Sequence, residues 1–150
     1  VLVEVEEEVF YRNIPEMRVK LGDRAVLRAI HFMEENKRVE SATEALKIQD
    51  IESFLTQIKM SEVSSFQYLQ NVYSNKDIMH QNVSVALAVS ESILKENGVS
   101  RVHGGGFAGT IQAFVKNQEL KTCEKDMDRV CGDGSCSVMK IRKYGGMQVV

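Results

Sequence analysis

The stretch Arg101-Val-His-Gly-Gly-Gly-Phe-Ala-Gly-Thr-Ile-Gln-Ala-Phe-Val115 decides how the chain folds. Five of its first nine residues carry no bulky side chain: Gly104, Gly105, Gly106, Ala108 and Gly109. The run lies between apolar segments, and a flexible linker would lack Ile111, Phe114 and Val115 behind it. Residues 99–102 read as one strand and 110–115 as a second, so a compact glycine loop joins a hairpin-like pair. Three successive glycines allow positive φ and leave backbone N–H groups unshielded by side chains. A concave row of such donors suits an anion or a phosphate ester. The same glycines can instead serve only to relieve sterics in a tight turn, which is the commoner use of glycine clusters.

Before the hairpin, residues 83–94 are strongly apolar and predict a largely buried helix, with Gly98 as its C′ glycine. After it, Leu120, Cys123, Met127, Val130 and Cys131 recur at spacings of three and four. They predict a helix with its cysteines on the apolar face, where they serve as core residues. Gly132-Asp133-Gly134 turns the chain. Residues 136–142 read as a strand, and Gly145-Gly146 leads into the apolar end 147–150.

Towards the N-terminus the pattern is mixed. Residues 1–11 alternate imperfectly, with Val1, Val3, Val5, Val9 and Tyr11 on one parity and Glu4, Glu6 and Glu8 on the other. This reads as a strand with a wet face. Residues 13–22 form a turn region with a short helical piece after Pro15. Asp23 stands at an N-cap position, followed by Val26, Leu27, Ile30 and Met33 at helical spacing. The stripe then shifts to Val39, Ala42 and Leu46, which fits one long helix or two broken near Asn36. Asp50 is a second N-cap, before Ile51, Phe54, Leu55 and Ile58. In the polar stretch 61–73, Ser61, Ser64 and Ser65 can cap a helix or contact a ligand, and capping is expected. The order strand, helices, strand, strand, helix, strand predicts an α+β fold with an antiparallel sheet.

Composition narrows the function. The 150 residues are 43% apolar and 27% charged, ordinary for one globular domain spanning 1–150. Net charge is −2 without a block of Lys and Arg, which argues against nucleic acid. No apolar run approaches a membrane span and no signal peptide is visible. Three cysteines at spacings that fit no metal motif point to reduced thiols in a cytoplasmic protein. His31 falls mid-helix as a packing residue, and His80 falls on the surface.

The glycine run resembles the third, C-terminal glycine-rich motif of the galactokinase, homoserine kinase, mevalonate kinase and phosphomevalonate kinase (GHMP) superfamily. It is most similar to the galactokinase form, an Arg ahead of a Gly-Gly-Gly-Phe-Gly-Gly core. Arg101, Gly104, Gly105, Gly106, Phe107 and Gly109 match; Ala108 replaces a glycine, and His103 stands where galactokinases usually have threonine. His31, Glu35, Asn36, Arg38 and Val39 resemble the galactokinase pattern of a histidine followed by Glu-Asn-x-Arg-Val. Ala45-Leu46, Asp50, Phe54 and Met60 continue it in register, and Ser64-Ser65 through Leu69 resembles the serine-rich segment that follows. The resemblance covers residues 23–115; between Tyr73 and Val83 the spacing is longer than in typical galactokinases.

That resemblance implies a C-terminal domain with a ferredoxin-like sheet and helices packed on one face. It implies a parent that transfers the ATP γ-phosphate to a sugar hydroxyl, with ATP and Mg²⁺ as cofactors and galactose or a related hexose as substrate. The family's sugar signature, serine-rich phosphate loop and catalytic acid, all carried by its N-terminal domain, do not occur here. No catalytic residue and no metal site is therefore assigned, the piece alone is expected to be inactive, and self-association through exposed apolar surface is expected. The loop residues Gly104, Gly105, Gly106, Phe107 and Gly109 would close the cleft near the transferred phosphate. Arg101 could add a charge, although pairing with a carboxylate is put ahead of it. His103 could donate to a phosphate oxygen or pack the turn; Ser64 and Ser65 are auxiliary candidates. Two other readings are a regulatory galactokinase relative without catalysis and an independent small-molecule-binding ferredoxin-like domain.

Overall fold

The computed structural model describes residues 2–107 and 109–141. Its centre is the expected hairpin: β1 (Gly98–Val102) pairs antiparallel with β2 (Ile111–Val115), from Gly98 opposite Val115 to Val102 opposite Ile111. Gly98 is a strand residue, not the cap of the helix before it. A Cβ there would lie 2.3 Å from the Phe114 carbonyl oxygen, so the close approach of β2 is what requires glycine. The preceding helix, α5 (Asn82–Leu94), stops earlier, and its left-handed exit residue is Lys95 at φ 48°.

The N-terminal strand is not formed. Residues Leu2–Glu4 make a 3₁₀ turn and α1 (Glu7–Arg12) follows, with Phe10 buried. Glutamate is a good helix former and a poor strand residue, and this preference overrides the partial alternation of the valines. Next comes α2 (Ile14–Leu21), with Pro15 in its first turn, where a missing N–H costs nothing. Gly22, at φ 82°, then turns the chain into α3 (Asp23–Lys47), one uninterrupted helix of 25 residues. Asp23 does not cap it; its carboxylate pairs with Arg18 at 2.6 Å, and Gly22 holds the cap position.

The second cap is as expected: the Asp50 carboxylate accepts from the Ser53 N–H at 3.0 Å and opens α4 (Ile51–Ser64). A widened turn, Ser65–Leu69, ends at Gln70 in the left-handed region. After the hairpin a 3₁₀ turn (Asn117–Glu119) leads into α6 (Leu120–Cys131). Cys123 is core as expected, whereas Cys131 is exposed. The Asp128 carboxylate gathers the Cys136 N–H at 2.9 Å and the Ser135 hydroxyl at 3.1 Å, fastening the chain beyond the glycine turn. Residues 136–141 form no strand; the rest of that expected strand and the apolar end 147–150 lie outside the described residues.

The architecture is thus α+β, and among the described residues the sheet has two strands. Alternate residues of a strand face opposite ways. Val102, Ile111 and Val115 meet α5 and α6 through Leu87, Leu94, Cys123 and Met127. Arg101 and Phe114 meet α3 and α4, Phe114 stacking edge-on against Phe54 at 5.4 Å. Helices therefore lie against both sides of the hairpin, where the sequence suggested one. No described helix is long and apolar enough to cross a membrane.

Candidate functional site

The loop between the strands is closed at its base by the His103 N–H, which donates to the Thr110 carbonyl at 3.1 Å. Gly104, Gly106 and Gly109 have φ of 65°, 73° and 88°, in the region that only glycine enters freely. Gly105 does not share that conformation, and a Cβ on it would meet nothing within 4 Å. Gly106 is the most constrained of the three successive glycines: a Cβ there would fall 2.2 Å from the Asn71 carbonyl oxygen and 2.6 Å from its side-chain nitrogen.

Asn71 is the residue that pins the loop. It lies just after the left-handed Gln70, is almost wholly buried, and uses both backbone and side chain. Its carbonyl accepts the Phe107 N–H at 2.9 Å, and its Nδ2 donates to the Gly105 carbonyl at 3.2 Å. Phe107 is held in a left-handed conformation at φ 58°, with its ring largely exposed. Because Phe107 commits its N–H to Asn71, the row of donors read from the sequence shortens. The N–H groups of Gly104, Gly105 and Gly106 have no acceptor among the described residues. Space is open beside Gly104 and Gly105, whereas Gly106 packs against Asn71, which fixes the position of the loop.

A second set of residues holds the strand that feeds the loop. His31, Glu35 and Arg38 fall at i, i+4 and i+7 on one face of α3 and turn towards α4. Arg38 donates to Glu35 at 2.8 Å and to the Ser64 hydroxyl at 2.8 Å. Ser64 also meets His31 Nδ1 at 2.9 Å, and the Ser61 hydroxyl donates to Glu35. Arg101 reaches Glu35 at 4.0 Å, the carboxylate pairing expected for it. In an antiparallel pair, bonded and non-bonded positions alternate, so the Val102 N–H points away from β2. The buried Glu62 carboxylate accepts it at 2.6 Å and covers that edge of β1.

Environment shifts these groups in different directions. Burial raises the Glu35 carboxyl, but hydrogen bonds from Ser61 and Arg38 outweigh it and hold it below the ordinary value. Burial pushes Glu62 up, against the lowering effect of the Val102 N–H. Burial likewise lowers His31, so that its neutral form is favoured.

The sequence-predicted residues thus divide. Gly104, Gly105, Gly106, Phe107 and Gly109 form one loop, with His103 exposed at its base. Ser64 and Ser65 cap no helix; both are buried where α4 passes α3, and no hydrogen bond joins them to the loop. The serines do structural work in place of capping because α4 runs on through them into the widened turn. Asn71 and Glu62 were not legible as functional, since neither belongs to a periodic pattern and each acts through backbone groups distant in sequence.

No family model matches the chain. It is similar to the galactokinase of Glaesserella parasuis, 30% identical over 124 residues, covering 83% of this chain and 30% of the relative. Galactokinases of Haemophilus influenzae and Actinobacillus pleuropneumoniae are 27% identical over 124 residues and 26% over 120. These matches cover 83% and 80% of this chain, and 30% and 29% of the relatives. The chain therefore spans about three tenths of the length of the curated relatives it matches.

Proposed function

We propose that the chain is the C-terminal domain of an ATP-dependent sugar 1-kinase of the galactokinase type, within the GHMP superfamily. The observation that carries the reading is the likeness to galactokinases across 83% of these residues. The loop geometry supports it. Phosphoryl transfer leaves little covalent chemistry to the protein, and rate comes from positioning and from fixed dipoles that meet spreading negative charge. The N–H groups of Gly104, Gly105 and Gly106 offer such dipoles, and Asn71 holds them in place. Open space above Gly105 leaves room for phosphate oxygens. Arg101 is a positioning residue in this scheme, fixing β1 against Glu35, and His103 is free to approach a phosphate oxygen from the base of the loop.

ATP would supply the transferred phosphoryl group, and the loop suits its phosphates. Mg²⁺ finds no fit here: among the described residues no three His, Cys, Asp or Glu side chains gather around a possible ion. The base that activates the sugar hydroxyl, the main phosphate cradle and the metal ligands are assigned to an N-terminal kinase domain. Apolar side chains left exposed, such as Val19, Leu21, Ile48 and Ile51, are surface for that partner or for self-association.

The test is ATP consumption by the full-length parent against a panel of hexoses. Turnover with galactose or a close relative is expected, and absence of hexose-dependent turnover overturns the reading. The 150-residue chain alone is expected to consume no ATP, because positioning without base or cradle does not make a kinase.

A further inference from the structure

Beside the glycine loop lies a second concave feature, a cleft of about 380 Å³ lined by Arg24, Arg28, Ser74, Asn75, Lys76 and Phe107. Three of the six residues are cationic and none is acidic. Like charges are normally dispersed or paired on a protein surface, because gathering them costs Coulomb energy. Here they stay unpaired: among the described residues neither arginine nor Lys76 has a carboxylate within 4 Å. The nearby carboxylates are engaged elsewhere. Asp23 pairs with Arg18, and Asp77 accepts from the Met79 and His80 N–H groups and meets the His80 ring at 2.7 Å.

The cations are also held. Arg28 Nε donates to the Leu69 carbonyl at 3.2 Å, and an Arg24 nitrogen donates to the Gln70 carbonyl at 3.4 Å. Each guanidinium keeps further N–H donors for another partner. Lys76 sits in a loop stitched by Gln81, which donates to the Ser74 and Asp77 carbonyls and accepts the Ser74 N–H. On the fourth side the Phe107 ring is presented by a strained left-handed backbone, a conformation that persists only where its surroundings enforce it.

We propose that this cleft is an anion site that takes a phosphate-type group on Arg24, Arg28 and Lys76, with the flat carbon face of the ligand against Phe107. Guanidinium forks and an ammonium are the donors that such oxygens select, and an aromatic face favours a ring-bearing ester over the bare ion. The site is separate from the N–H row of Gly104–Gly106, and its occupancy is read without turnover, so it stands or falls apart from the kinase reading.

The probes are inorganic phosphate and phenyl phosphate, titrated into the 150-residue chain by calorimetry and by amide NMR. Saturable binding is expected, with shifts centred on Lys76 and Phe107 and with weakening as salt rises. Lys76→Glu, at an exposed side chain that forms no hydrogen bond or ion pair among the described residues, should weaken both probes by about tenfold or more. Arg28→Gln should do the same, its folding checked by circular dichroism. Phe107→Ala should weaken phenyl phosphate and leave phosphate unchanged. Absence of saturable binding overturns the proposal, as does binding that Lys76→Glu leaves intact. Shifts confined to Gly104–Gly106 also overturn it, by moving the anion to the glycine loop. Equal binding of the two probes overturns the role of Phe107.

Discussion

On one side of the hairpin, Val102, Ile111 and Val115 rest on Leu87, Leu94, Cys123 and Met127. On the other, Arg101 reaches Glu35 within a connected set of buried or half-buried polar groups on α3 and α4. The apolar side is non-directional: it stabilises in proportion to area and tolerates small shifts. The polar side is directional, because each donor must meet its acceptor and a misplaced partner leaves a buried group unsatisfied. The difference suggests a division of labour. The apolar side keeps the hairpin folded, and the polar side fixes where β1 ends, and so where the glycine loop begins.

The largest expected effects come from cutting each side once. Arg38→Ala removes a cation from beneath Ser64 and Glu35 and strands a half-buried carboxylate, at a cost of about 3–5 kcal/mol. Leu94→Ala leaves a cavity under the other side and costs about 2–5 kcal/mol. For a chain of this size each kcal/mol is worth roughly 2–4 °C in Tm, so both variants should melt well below the parent chain. Loop geometry separates them. Arg38→Ala should move the amide resonances of Gly104, Gly105 and Gly106, and Leu94→Ala should leave them near their original positions. Equal disturbance of the loop by both variants would break the comparison.

The next effect lies inside the loop and sharpens the contrast between a tight turn and an anion cradle. Gly106→Ala forces a Cβ into the Asn71 carbonyl and a positive φ onto alanine, the backbone strain alone costing about 1–3 kcal/mol. Gly105→Ala has neither problem, since its Cβ would enter open space at an ordinary φ. The Tm should fall for the first and stay unchanged for the second. In the full-length parent, Gly105→Val should nevertheless slow turnover per folded molecule by roughly a hundredfold, because the side chain fills the space assigned to phosphate oxygens. A Gly105→Val parent that turns over normally would leave the glycines with a steric role only.

The loop was legible in the sequence because glycine clustering and flanking β-branched and aromatic residues are local signals. The hairpin, the Asp50 cap, α5 and α6 emerged for the same reason. The N-terminal segment misled because a few alternating valines outvoted four glutamates, and helix propensity prevailed with only Phe10 available to bury. Gly98 misled because a cap and a close strand approach both select glycine, and only the Phe114 carbonyl tells them apart. Asn71, Glu62 and the three cations of the basic cleft were silent. Their roles depend on contacts across dozens of residues, which no short-range spacing encodes.

The smallest effect concerns two ionisable groups on the polar side of the hairpin that respond oppositely to pH. His31 is lowered from 6.5 by burial, so its contribution is complete above 6.5 and is lost as pH falls through the lower folded value. Glu62 is raised from 4.5 by burial, so its contribution is present below 4.5 and is lost as pH rises through the higher folded value. Between those limits the two trends partly cancel in the native chain. Glu62→Gln keeps an oxygen to accept the Val102 N–H and removes the titration. The variant should therefore be more stable than the parent chain at pH 7, by less than either preceding effect, and the advantage should vanish near pH 4. It should also expose the His31 trend, with Tm falling more steeply from pH 7 to pH 5 than in the parent chain. Thermal scans across that range decide the matter, since other carboxylates titrate alike in both proteins and drop out of the difference. Parallel curves would mean that Glu62 is not held above its ordinary value. The Val102 N–H and the nearby cations would then offset the cost of burying the Glu62 charge, and the charged form would be part of the clamp that sets the loop.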